Sequence, residues 1–114
     1  MSAARLVMIG VESTYRERLR RFASLRGLEA VHFEDDGSVA AAPESPALCI
    51  AGLLGGSPSD LQRVRRLTMT YPETPLVVLA RDVAIDEVVG LMRAGVADVI
   101  ELPKNAREVA QRSL

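Results

Sequence analysis

The stretch LVVLARDVAIDEVVGLMRAGVADVIELP, residues 76–103, decides the fold. Leu76-Val77-Val78-Leu79-Ala80 is an unbroken apolar run, which predicts a short strand buried on both faces. Ile85, Val88, Val89 and Met92 follow at helical spacing and predict an amphipathic helix with that apolar face turned inward, closed by Gly95. Val99-Ile100-Glu101-Leu102 is a second strand-length apolar run, stopped by Pro103. Strand, helix and strand joined this way form a βαβ unit, in which the helix carries the chain back and the two strands lie parallel.

The same alternation extends toward the amino terminus. Leu6-Val7-Met8-Ile9, ending at Gly10, reads as a buried strand. Thr14-Tyr15-Arg16-Glu17 matches a capping box, and Tyr15, Leu19, Phe22 and Leu25 continue at helical spacing to Gly27. Leu28–Phe33 is a second strand. Residues 35–45 carry only one predicted helical turn, around Val39–Ala42, before Pro43. Leu48-Cys49-Ile50-Ala51 is a third buried strand, opening into a loop over Gly52-Leu53-Leu54-Gly55-Gly56. Ser57 as N-cap, Pro58 in the first turn and Asp60 near the positive helix end start the next helix. Leu61, Val64 and Leu67 form its inward stripe, and Tyr71–Pro75 breaks it ahead of the Leu76 strand. Ala106–Leu114 begins a last, short helix. The order βαβαβαβαβα predicts a parallel sheet covered by helices on both faces.

Composition agrees and excludes several function classes. The chain has 114 residues, 14 Lys+Arg against 15 Asp+Glu, and 48% apolar residues of which few are aromatic. A near-neutral charge argues against a broad nucleic-acid surface. Arginines do concentrate on the first helix (Arg16, Arg18, Arg20, Arg21, Arg26) and on the helix with Arg63, Arg65 and Arg66, where solvated helix faces are the expectation. The single cysteine, Cys49, excludes a disulfide framework and fits a reducing compartment, and its strand makes it a core residue. His32 has no second ligand-type residue in a metal-binding or catalytic pattern. The Gly52–Ser57 loop lacks the Gly-Lys-Ser/Thr of a phosphate-cradling P-loop. No cofactor, no membrane span and a cytoplasmic location are expected.

Several segments resemble one family, the receiver domains of bacterial response regulators. Pro46-Ala47-Leu48-Cys49-Ile50-Ala51-Gly52 is similar to the family's third strand, and Thr74–Ala80 to its fourth. Leu91-Met92-Arg93-Ala94-Gly95-Val96-Ala97-Asp98 is similar to the end of its fourth helix, with Leu102-Pro103 standing where the family has Lys-Pro. The resemblance covers essentially the whole chain and implies a flavodoxin-like α/β fold, a (βα)5 doubly wound five-stranded parallel sheet of strand order 2-1-3-4-5.

It also implies where the family's phosphoryl chemistry would sit. Such chemistry needs an acid pair holding Mg²⁺, an aspartate acceptor, a hydroxyl after the fourth strand and a lysine after the fifth. The acid pair falls on Gly10 and Val11, the acceptor on Gly52, the hydroxyl on Ala80 and the lysine on Leu102; the family's fifth-strand aromatic falls on Val99. Every one of these positions lacks the required group, so the sequence resembles a degenerate receiver with no catalytic residues. Glu12 is the one carboxylate left nearby, a weak metal candidate, and Lys104 is expected to point to solvent.

The family further implies a protein-contact face on the helix bearing Asp86, Glu87, Gly90 and Arg93, the fifth strand with Val99, and the last helix, with Lys104 and Arg107. Expected partners are other proteins or a second copy in a homodimer, with neither nucleic acid nor membrane bound directly. Two other readings stay open: a working phosphoacceptor using unexpected residues, and the amino-terminal receiver-like domain of a pilus-assembly or localisation ATPase of the Tad type, or of a transcriptional regulator. The short last helix fits a domain cut from a longer protein.

Overall fold

The computed structural model describes residues 4–34, 45–54, 58–103 and 105–114. Across them run β1 (Arg5–Ile9), α1 (Ser13–Leu25), β2 (Glu29–Phe33), β3 (Leu48–Leu54), α2 (Pro58–Thr70), β4 (Leu76–Arg81), α3 (Ile85–Arg93), β5 (Asp98–Leu102) and α4 (Ala106–Ser113). The five strands form one sheet in the order β2-β1-β3-β4-β5, every pair parallel. This is the doubly wound α/β fold expected from the alternation. The predicted turn at Val39–Ala42, the Ser57 cap and Lys104 lie outside the described residues.

Strand periodicity sorts the core into two layers. Leu6, Met8, Ile50, Val77, Leu79 and Ile100 point to one face of the sheet, where Tyr15, Leu19 and Ala23 of α1 and Val109 and Ala110 of α4 cover them. Val7, Ile9, Cys49, Ala51, Val78 and Ala80 point to the other, under Val64 and Leu67 of α2 and Leu91 of α3. Apart from Arg5 at the start of β1 and Arg81 at the end of β4, the central strands therefore carry no polar side chain, which is why they read as runs rather than alternations. Burial pushes the Cys49 thiol up to about 12, so it stays protonated among its apolar neighbours.

Four local expectations are corrected. Thr14 does not cap α1: the helix starts at Ser13 with Glu12 at the N-cap and no side-chain capping bond, because the Glu12 carboxylate is engaged elsewhere. Leu25 ends that helix exposed, and Ala23 takes the inward position. Strand β3 continues through Gly52-Leu53-Leu54, paired with Leu79-Ala80-Arg81, where a loop was expected. In α3 the buried residue is Leu91, with Val88 half-buried; Ile85, Val89 and Met92 face solvent at 82%, 42% and 47% exposure. The helix is rotated from its most apolar face because Leu91 meets the α2 side of the core, leaving an apolar stripe outside.

Candidate functional site

The chain passes from β1 outward to β2, then returns across β1 to β3, so the carboxyl ends of β1 and β3 flank the topological switch point where open α/β sheets bind their ligands. A cavity of about 90 Å³ opens there, lined by Gly10, Val11, Glu12, Tyr15, Gly52, Leu53, Leu79 and Leu102. Four of the five positions at which phosphoryl chemistry was tested in the sequence, Gly10, Val11, Gly52 and Leu102, therefore do converge on one pocket. Ala80 is fully buried and packs in the α2-side core layer instead.

The pocket is built for the residues it has. Gly10 has φ +61°, a left-handed conformation that residues with a Cβ rarely adopt. Its carbonyl is turned onto Gly52: a Cβ placed on Gly52 would run into the Gly10 oxygen, and would stand 3.1 Å from the Gly10 carbonyl carbon. No side chain fits at position 52 while this backbone is kept. Val11, Leu53, Leu79 and Leu102 on the pocket walls are aliphatic and supply neither nucleophile nor metal ligand, and Tyr15 and Glu12 are the polar side chains of the lining.

Glu12 stands at the mouth, and its carboxylate is held by Arg81, from the end of β4, through a two-pronged contact of 2.6 Å (Nε to Oε1) and 2.9 Å (Nη2 to Oε2). Hydrogen bonding from Arg81 is the main reason the Glu12 carboxyl titrates below its ordinary range. Among the described residues, a guanidinium thus already compensates the only carboxylate on the pocket wall, and no group of three His, Cys, Asp or Glu suited to a metal occurs. Arg81 was not legible as a partner from sequence, although a charged residue closing a buried strand beside the site is a usable signal.

His32 is a second residue whose role the sequence did not reveal. Its ring, with a side chain only 6% exposed, accepts the Val11 backbone N–H at Nε2 (3.2 Å), tying β2 to the loop that carries the site. Burial, and then the neighbouring Arg16 guanidinium, hold the imidazole pKa below its ordinary value, so the ring is neutral at physiological pH.

The expected contact face is partly exposed. Asp86, Arg93 and Arg107 are open to solvent, Glu87 and Gly90 are half-buried, and Val99 is half-buried against the α2-side core. The apolar stripe Ile85, Val89 and Met92 lies on the same helix. No helix among the described residues is long and apolar enough to cross a membrane.

No protein-family model matches the sequence, and no curated protein resembles it closely. Solved structures do share its shape. A response regulator from Thermotoga maritima superposes with a TM-score of 0.77 at 16% identity, over 97% of this chain and 94% of its own. An orphan response regulator of H. pylori gives 0.77 at 18% identity, over 96% and 92%. An atypical orphan response regulator, whose structure revealed a phosphorylation-independent regulatory mechanism, gives 0.71 at 15% identity, over 96% and 91%.

Proposed function

From the premise that this chain has the fold of a response-regulator receiver domain, we propose that it is a phosphorylation-independent signalling module that acts by protein–protein contact and catalyses no phosphoryl transfer. The observation that supports this reading best is the contact between the Gly10 carbonyl and Gly52. An acceptor side chain at position 52 would need the β1–α1 loop to move, and Glu12, the carboxylate on the neighbouring wall, is already engaged by Arg81. In this reading the backbone, as well as the side chains, supports the loss of the chemistry. The phosphorylation-independent mechanism of one structural neighbour shows that this fold accommodates such a function.

The contact surface in this reading is α3 with β5 and α4, in a cytoplasmic setting. Support comes from α3, where Ile85, Val89 and Met92 recur at i, i+4 and i+7 on the exposed side, flanked by Asp86 and Arg93. An apolar centre with a charged rim is the usual anatomy of a protein contact. Affinity recovery with wild type, Ile85→Asp and Arg93→Glu tests it. Loss of about tenfold in the same recovered proteins, or of self-association, is expected for the variants. Unchanged recovery by both would overturn the assigned face.

A further inference from the structure

Among the described residues, the flank of α1 that faces β2 holds more hydrogen-bond donors than acceptors. Because the Val11 N–H donates to Nε2 of His32, the neutral ring keeps its proton on Nδ1. That Nδ1–H faces the Arg16 guanidinium, whose Nη1 lies 3.4 Å away and is also only a donor. Arg16 Nε is buried with no hydrogen-bond partner. Arg20, one helical turn on, turns to the same flank and makes a long contact of 3.4 Å with the Ala30 carbonyl. The acid beside them, Glu34, has a side chain 85% exposed with Oε1 3.9 Å from Nδ1, beyond hydrogen-bonding distance. Glu12 is engaged by Arg81, and Glu17 lies on the exposed side of α1.

Two donors pointed at one another are stable when an acceptor sits between them. We propose that Arg16, Arg20 and the Nδ1–H of His32 form a binding site for a small phosphate-type oxyanion. Its oxygens accept from the Arg16 guanidinium and the imidazole together, and Arg20 supplies the second positive charge. A tetrahedral oxyanion suits this better than a halide, since it offers separate acceptors to donors arriving from a helix and from a strand. The site lies at the sheet edge away from β5, so it stands independently of the contact face proposed above. It is coupled to the vacated pocket by one bond: the ring that meets the anion on one side holds the Val11 amide on the other. An anion favours a second proton on the ring, and that proton would occupy Nε2 and release Val11.

Titration of the ¹⁵N-labelled protein with inorganic phosphate, against sodium chloride at matched ionic strength, tests the site. Saturable shifts of the Val11 amide and the His32 ring are expected with phosphate alone, together with a His32 pKa raised by about one unit. Both effects should vanish in Arg16→Gln and weaken in Arg20→Gln, while the remaining amide spectrum reports that each variant is folded. Equal shifts with chloride, full retention in folded Arg16→Gln, or no shift with phosphate would each overturn the proposal.

Discussion

Gly52 is the residue on which the functional reading turns. Sequence comparison by position identified it as the place of a missing acceptor, but a missing side chain alone leaves open whether one could be restored. In the structure the Gly10 carbonyl occupies the space that a Cβ at position 52 needs. Gly52→Ala is therefore expected to cost about 1–3 kcal/mol, the range for forced overpacking, measured by denaturant unfolding. A neutral effect would mean that the loop yields readily. Arg81 makes a second residue-scale prediction. With Arg81 replaced by Ala, the Glu12 carboxyl should rise toward its ordinary value of 4.5 in a carboxyl-detected titration. The sign follows from the direction of the shift: a depressed carboxyl stabilises the fold above about pH 4.5, and that contribution fades as pH falls through its lowered folded value. The variant should lose this acid-side dependence, and an unchanged Glu12 titration would contradict the contact.

At the level of elements, periodicity located the strands and helices well and misjudged which way α3 faces. The β4 run was readable because it is buried on both faces, so no choice of face was needed, whereas β5, at the sheet edge, buries Ile100 and Leu102 and leaves Glu101 exposed. Helix α3 offers two apolar options, the Ile85–Val89–Met92 stripe and Leu91, and hydropathy alone favours the larger set. Packing against α2 selects Leu91. The rotation is testable by stability. Leu91→Ala should cost about 2–5 kcal/mol as a core truncation, whereas Ile85→Ser should stay within about 0.5 kcal/mol as a surface change. The reverse ordering would contradict the helix orientation. The start of α1 was misread for a related reason: Thr14 and Glu17 carry the capping pattern, but Glu12 takes the N-cap while its carboxylate serves Arg81 across the sheet. A contact between residues 69 positions apart leaves no local signature.

The whole molecule was the most legible scale. Alternating short apolar runs and amphipathic segments suffice for a parallel sheet covered on both faces, and the resemblance to receiver domains fixed the strand order that the structure has. Gly10, Val11, Gly52 and Leu102 line one pocket because their convergence depends only on strand order and strand ends. Arg81 and His32 escaped because their roles depend on side-chain reach between strands, which no spacing rule encodes. The molecule that results has the receiver fold, with the Gly10 carbonyl packed where a Cβ at position 52 would stand and the Glu12 carboxylate paired with Arg81. The direct test is amide NMR of the protein with beryllofluoride and Mg²⁺, which together mimic the phosphorylated state of a receiver. The resonances of Gly10, Val11 and Gly52 are predicted to stay where they are in Mg²⁺ alone. Saturable shifts centred on Gly52 would show a working acceptor and contradict the account.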